Sequence, residues 1–453
     1  MIDKITMLAM LEREPTIRVG VIERKNEING TFNGSFELPT TIRLKGAFTV
    51  RTQDGRLVLF DNEGVEVMKA AKILCRPLDG ATFTLKDVTI GIHFHWERKE
   101  DQTFAGSLQL IAAPDGTTTA VNEIGVEEYL KSVISSEMSA EAPEELLRAH
   151  AITSRSWLVA MLEREARVSA AGEPAMRSRE SADELVRWYD REDHSLFDVC
   201  ADDHCQRYQG ITKIITPTAS KAIEDTRGSF LVYAGQICDA RFFKACGGLT
   251  DNFENVWEDT TVPYLRSVSD SQHLHPPIMS EDEARAWILS SPDVYCNTKD
   301  PAILKQILPS FDQETTDFFR WRIEYSPQQL REILLSKSGI DFGEIQNLTP
   351  VLRGPSGRIL RLKIEGSKKT IVVGKELEIR RWLSKSHLYS SAFVVDVERD
   401  QTGRPAKFVF RGGGWGHGVG LCQIGAAVMA AKGKKAEEIV LHYFSGARLQ
   451  RLY

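Results

Sequence analysis

The hydrophobic pattern changes its period near residue 120, and that change limits the fold more than any other feature. Residues 16 to about 110 alternate apolar and polar side chains, as in TIRVGVIE, GAFTVRT and ATFTLKDVTIGIHFHW, with Gly and Asn-Gly between them. A period of two belongs to half-buried strands joined by turns. From Asn122 to about Arg164 the period is helical: Val126, Leu130, Val133 and Ile134 recur at spacings of three and four. A second helix starts near Ser139 or Glu141, with Pro143 in its first turn, where a missing N–H costs nothing. Short strands return around 209–270. Residues 275–340 read as largely helical, most clearly in SPQQLREILLSK. Strands resume in RILRLKIEG, KTIVVGK and AFVVDVE, before a glycine-rich turn and two short helices. The predicted class is α+β, with mixed β-sheets, a central helix pair and a helical insertion. The predicted organisation is an N-terminal β-rich region (1–110), a core in two parts (111–270 and 346–453), and a mainly helical insertion (271–345) between them.

Charge narrows the function. The 57 basic and 63 acidic residues give a net charge of -6, and no long Lys/Arg run occurs. Binding driven by a nucleic-acid backbone is therefore not expected, and no apolar stretch is long enough for a transmembrane segment. The opening MIDKITMLAMLEREP is interrupted by Glu12 and lacks a small-residue cleavage site, so it does not read as a signal peptide. His93 and His95, two apart on a strand, face one side; they read more readily as lining a polar sheet face than as a metal pair.

One carboxylate falls on an apolar stripe. Glu137 lies three residues after Ile134, four after Val133 and seven after Leu130, so helical geometry turns it toward the buried face. Glu127 and Glu128, at the first turn, can simply complement the helix dipole. A carboxyl pressed against apolar surface loses hydration and holds its proton nearer neutral pH, as a general acid must. The alternative is that the helix ends near Met138 and Glu137 caps or salts a neighbouring turn. Arg155 sits at the margin of the second helix's stripe, beside the small residues Ala149, Ala151 and Ser154. If the helices pair, its planar fork could enter the same cleft; otherwise it forms a surface ion pair.

Seven cysteines form no regular framework, and the odd number leaves room for metal ligation. His194, Cys200, His204 and Cys205 fall in the stretch HSLFDVCADDHCQRY, and imidazole and thiolate are the preferred ligands of zinc. Adjacent His204 and Cys205 would have difficulty reaching one ion together. The favoured set is therefore His194, Cys200 and Cys205, with a fourth ligand from elsewhere, holding a structural zinc. A pair of buried free thiols is the competing reading.

The segment RGGGWGHGVGLCQIGA follows the strand KFVF and precedes a helix running to Gly433. It fits neither G-x-G-x-x-G nor the Walker pattern, so phosphate cradling is not expected. So many glycines serve close backbone approach and positive φ. Trp415 and His417 either meet a sugar from this tight turn or pack and hydrogen-bond the turn itself.

Three blocks carry a resemblance. VNEIGVEEYLKSVISSEMSAEAPEELLRAHAITSRSWLVAML resembles the opening of the stage II sporulation protein D (SpoIID/LytB, amidase enhancer) family, with Glu128-Tyr129-Leu130, Glu137-Met138, Pro143, and Arg155 with Trp157 at the family's positions. ARFFKACGGLTDNFENVWEDTTVPYLRSVSD is similar to its Gly-Gly-x-Thr, Trp and Pro-Tyr-Leu segment. RGGGWGHGVGLCQIGAAVMAAKG, followed by LHYFSGARL, is similar to its glycine-rich signature ending in Gln-x-Gly-Ala. The resemblance covers roughly 110–270 and 345–453. One departure is Cys246, where many relatives place a small hydroxyl residue.

The family implies cleavage of peptidoglycan glycan strands already stripped of stem peptides. By that resemblance Glu137 is the catalytic acid of a lytic transglycosylase. Arg155 positions the substrate, and Lys244, Trp415, His417 and Gln423 contact glycan. Some relatives carry a metal near the Cys/His stretch. One carboxyl would serve both steps, giving a 1,6-anhydromuramyl product, whereas hydrolytic glycosidases usually need a pair. The rival implication is a non-catalytic glycan binder that stimulates an N-acetylmuramoyl-L-alanine amidase, and a third is a purely structural wall-binding protein. The family also implies a place in the cell envelope.

Overall fold

The computed structural model describes residues 13–92, 97–171, 178–189, 194–202, 204–214, 216–307 and 317–453, and for 165–171 the backbone only. His93, His95 and the opening segment up to Glu12 lie outside the described residues. The chain forms two compact units, one of Met1–Arg155, Arg191–Ser229 and Arg451–Tyr453, the other of Ser156–Asp190 and Phe230–Gln450. Its class is α+β.

The first unit is built on an eleven-stranded sheet. Alternation decides its faces: at the start of Thr16–Lys25, Ile17 and Val19 are buried while Thr16 is exposed and Arg18 half-buried. That strand runs antiparallel to Thr118–Gly125, with Val19 opposite Asn122. Glu27–Glu37 pairs with Arg43–Gln53 and Thr82–Ile90, placing Phe32 opposite Phe83. Phe32, Phe36, Phe48, Phe83 and Phe104 form a chain of ring contacts, which Tyr208 and Tyr129 continue. Such pairs contribute about 0.5–1.5 kcal/mol each beyond the area they bury.

Helix α1 (Val126–Glu137) leaves the end of strand Thr118–Gly125 directly. The helical period predicted from Asn122 therefore starts four residues later, because Asn122 still pairs in the sheet. Helix α2 (Glu144–Ala171) follows Pro143, and α3 (Pro217–Asp225) is capped by Thr216, whose hydroxyl accepts from the Ala219 N–H. Strand Val199–Cys200 adds to the sheet in parallel, with Cys200 opposite Gly20. Only glycine fits there, since a Cβ on Gly20 would lie 2.5 Å from the Phe197 ring.

In the second unit, Glu184–Arg187, Thr370–Gly374, Ile359–Gly366 and Ile345–Arg353 are consecutive strands of a five-stranded sheet. A three-stranded sheet orders Arg320–Tyr325, Pro405–Gly413 and Phe393–Arg399. Trp321, Leu330, Leu334, Phe342, Ile359, Leu362, Trp382, Phe393 and Phe410 share one apolar cluster. The remaining described helices are α4 (Glu281–Leu289), α5 (Pro301–Ile307), α6 (Pro327–Ser338), α7 (Glu376–Trp382), α8 (Gln423–Ala431) and α9 (Ala436–Tyr443). Helix α6 has a capping box of Ser326 and Gln329 and stops at Gly339 in the left-handed region. The segment expected to be mainly helical also contains the strand Arg320–Tyr325, whose Trp321, Ile323 and Tyr325 alternate with polar residues.

Candidate functional site around Glu137 and the Cys/His cluster

Helix α1 buries Val126, Tyr129, Leu130, Val133 and Ile134, and Glu137 closes the same stripe at its last turn. Met138, extended and buried, ends the helix. Glu137 is half-buried, and its Oε1 accepts a 2.8 Å hydrogen bond from the backbone N–H of Arg207. Its other oxygen has no hydrogen-bond partner among the described residues. The two readings of this residue therefore coexist: Glu137 lies on the apolar stripe and also ties down a neighbouring turn.

That turn belongs to a strap, residues 205–209, laid along α1. Tyr129 Oη donates to Gln206 Oε1 (3.3 Å), and Gln206 Nε2 donates to the Ser154 carbonyl (3.3 Å). Arg207 Nη1 donates to the Ser136 carbonyl (3.4 Å). Tyr208 Oη donates to Asn122 Oδ1 (2.6 Å), and its ring stacks on Tyr129 with centroids 5.0 Å apart. The Gln209 N–H donates to Ser132 Oγ (3.0 Å). Each bond is worth only about 0.5–1.5 kcal/mol net, but leaving a buried partner unsatisfied costs more. The strap is thus held to one register, and with it the Arg207 N–H. Arg207 had no signal in the sequence beyond following Cys205 by two residues.

Arg155 takes a different place from the one its spacing suggested. It is fully buried, and its fork is spent on Glu127 of α1, Nε to Oε1 at 3.0 Å and Nη2 to Oε2 at 2.6 Å. Nη1 donates to the Ser229 carbonyl. It neither reaches toward Glu137 nor forms a surface pair; it bolts α2 to the first turn of α1. Burial pushes the Glu127 carboxyl up, but the hydrogen bonds and charge of Arg155, with Tyr453 and the Gly228 N–H, outweigh it and hold the group below its ordinary value.

His194, Cys200, His204 and Cys205 come together, with one ligand atom of each lying within 4.8 Å of the others. Cys205 Sγ is 3.4 Å from His194 Nε2 and 3.5 Å from His204 Nδ1, and Cys200 Sγ is 3.9 Å from His204 Nδ1. Tetrahedral zinc at its usual bond lengths sets sulfur and nitrogen ligands about 3.6 Å apart, so the spacing fits one ion. His204 joins the set despite its neighbour because it offers Nδ1, the nitrogen nearer the backbone, while His194 offers Nε2. Cys205 holds the Cys200 thiol far below the usual thiol range; burial opposes this, and His194 and His204 add to it. Thiolate is the form a metal takes. These four side chains can hold a metal ion.

The glycine-rich segment and its neighbours belong to the second unit. Gly414, Gly416, Gly418 and Gly420 all have positive φ, and a Cβ on Gly420 would lie 2.1 Å from the Arg241 carbonyl. Trp415 stacks on Tyr389 (4.1 Å) and leans on Phe318 (4.9 Å), packing the turn. His417 Nδ1 accepts from the Val419 N–H, and Nε2 lies 3.0 Å from the Phe242 carbonyl. Burial, with Arg241, Arg380 and Arg358 nearby, lowers its pKa well below the ordinary value, so the ring is neutral and Nε2 is the donor. Gln423 is buried at the start of α8. Lys244 is half-buried, and its carbonyl accepts from the Ile424 N–H.

Comparison with known proteins gives matches to two family descriptions. Residues 114–233 match the family described as Stage II sporulation protein, and residues 251–420 match a domain of unknown function, DUF8618. The Stage II sporulation protein D of Bacillus amyloliquefaciens is 25% identical over 328 residues, covering 72% of this chain and 74% of its own. An uncharacterized protein of Brachyspira hyodysenteriae is 27% identical over 398 residues, covering 88% and 81%. The amidase enhancer of Bacillus subtilis is 24% identical over 244 residues, covering 51% of this chain and 32% of its own. Residues 114–233 are thus similar to the family described as Stage II sporulation protein, and Glu137 and the Cys/His cluster lie within that stretch.

Proposed function

We propose that this protein is a peptidoglycan lytic transglycosylase that cleaves glycan strands stripped of their stem peptides, with Glu137 as its single acid–base group. The observation that carries this reading is the state of that carboxyl: it sits on the apolar stripe of α1, with one oxygen fixed by the Arg207 N–H and the other unpartnered among the described residues. A fixed carboxyl with one oxygen to offer suits a proton that is given and then taken back. Glu137 donates to the oxygen leaving the muramyl anomeric carbon as that bond breaks. The carboxylate then takes the proton of the C6 hydroxyl as that oxygen closes the 1,6-anhydro ring. Atoms and charge balance without water and without a second carboxyl.

In this reading Arg155 is a positioning residue that sets α1 through Glu127, and a zinc ion in the Cys/His cluster fixes the strap that carries Arg207. Lys244 is the glycan contact proposed for the second unit, with Trp415, His417 and Gln423 shaping the loop beside it. The substrate implies work in the cell envelope.

A second reading has one observation in its favour, the similarity to a protein named amidase enhancer. Here the chain binds glycan and stimulates an N-acetylmuramoyl-L-alanine amidase without cleaving anything itself. The two readings separate on Glu137→Gln. Release of soluble fragments from denuded strands is lost in the variant if the chain is an enzyme. If it is an enhancer, neither form releases fragments and both stimulate the amidase equally.

A further inference from the structure

The second unit gathers a second group of metal-binding side chains, separate from the Cys/His cluster and unused by the reading above. Cys246 follows strand Phe242–Phe243, Asp270 lies on the loop before α4, Cys296 lies between α4 and α5, and Cys422 ends strand Leu421–Cys422 at the N-cap of α8. All four are at most 2% exposed, and one ligand atom of each lies within 4.8 Å of the others. Cys246 Sγ and Cys296 Sγ are 3.4 Å apart.

The hydrogen bonds around the group point inward as donors. Cys422 Sγ accepts the N–H groups of Cys246 (3.2 Å) and Gly425 (3.4 Å), and Cys246 Sγ accepts that of Gly248 (3.3 Å). Asp270 Oδ2 accepts the Cys296 N–H (2.7 Å), and Oδ1 accepts the Tyr443 hydroxyl (2.6 Å). Donors aimed at sulfur and carboxylate are the outer shell that orients metal ligands. No Lys, Arg or His side chain pairs with Asp270 among the described residues. A buried carboxyl met only by neutral donors keeps its proton or gives it up to a cation. A disulfide between Cys246 and Cys296 would leave both Cys422 and Asp270 without one.

We propose that Cys246, Asp270, Cys296 and Cys422 bind one zinc ion in a closed structural site. Three thiolates and a carboxylate suit tetrahedral zinc, whose sulfur ligands stand about 3.8 Å apart, and the spacing holds one ion. The ligands come from four separate segments, with Cys246 and Cys422 lying 176 positions apart. The ion therefore pins the 271–345 segment, through Cys296, to the glycine-rich loop, through Cys422. A clip across such long loops adds its binding free energy to folding.

The test counts zinc by native mass spectrometry on the full chain, produced with zinc under reducing conditions. A Cys200→Ser/Cys205→Ser variant, with the first cluster disabled and the second intact, is expected to keep one zinc per chain. Cys296→Ser is expected to carry one zinc fewer than the unaltered chain. Cobalt exchanged into the Cys200→Ser/Cys205→Ser variant should show thiolate charge-transfer absorption. No zinc in that variant, or a Cys246–Cys296 disulfide in its peptide map, would overturn the proposal. Neither result depends on whether Glu137 cleaves glycan.

Discussion

The backbone N–H of Arg207 donates a 2.8 Å hydrogen bond to Glu137 Oε1, and Arg207 stands two residues beyond Cys205 of the Cys/His cluster. Whatever fixes the cluster therefore fixes the carboxyl. The expected consequence is that Cys205→Ser or His204→Ala removes one metal equivalent and lowers glycan release about 10–100-fold, the range found when groups supporting a site are lost. Elemental analysis and a release assay check this together. Full release by a variant lacking that metal equivalent would break the link between cluster and carboxyl.

Arg155 and Glu127 form a buried two-point pair, with side chains at 0% and 3% exposure. Removing one partner leaves an uncompensated buried charge, so Arg155→Met should cost about 3–5 kcal/mol of stability. Urea unfolding measures it, and a loss under about 1 kcal/mol would place the pair's weight elsewhere. Glu127 also sets a pH dependence. Its folded value lies below its ordinary one, so its contribution is whole above the ordinary glutamate value of about 4.3 and is lost as pH falls through the folded value. Glu127→Gln should flatten that part of the acid limb.

His417 works in the opposite chemical sense, as a base kept neutral. Burial and three nearby arginines hold it well below its ordinary value. As pH falls below about 6.5 the unfolded chain takes up a proton that the folded chain refuses, so stability declines. His387, lowered to about 4 by burial, adds to the same window. His417→Gln should reduce the slope of stability against pH below that point, by up to about 1.4 kcal/mol per pH unit. An unchanged slope in pH-resolved thermal unfolding would mean the ring titrates normally.

Much of this was legible in the sequence where periodicity or composition speaks for a residue. Glu137 was, because a carboxyl at the spacing of Leu130, Val133 and Ile134 must share their face. Cys200 and Cys205 were, because thiols and imidazoles crowd one short stretch. Arg207 was not, because it acts through a backbone N–H that any residue but proline carries. The partner of Arg155 was hidden too: Glu127 reads as an ordinary first-turn acid, and the pair spans 28 positions. His204 is masked by its adjacency to Cys205, which hides the short reach of Nδ1. The Cys246 group had no local signal at all, since its four members meet only once the strands and loops of the second unit are in place.

Proton transfer by Glu137 within the glycan strand leaves a chemical mark, which mass spectrometry of products from amidase-stripped strands can read. With the unaltered chain, new 1,6-anhydromuramyl ends should accumulate, and Glu137→Gln, folded and binding the same strands, should yield none. Ends produced equally by the variant, or by neither form while strands are bound, would mean that Glu137 is not the catalytic acid.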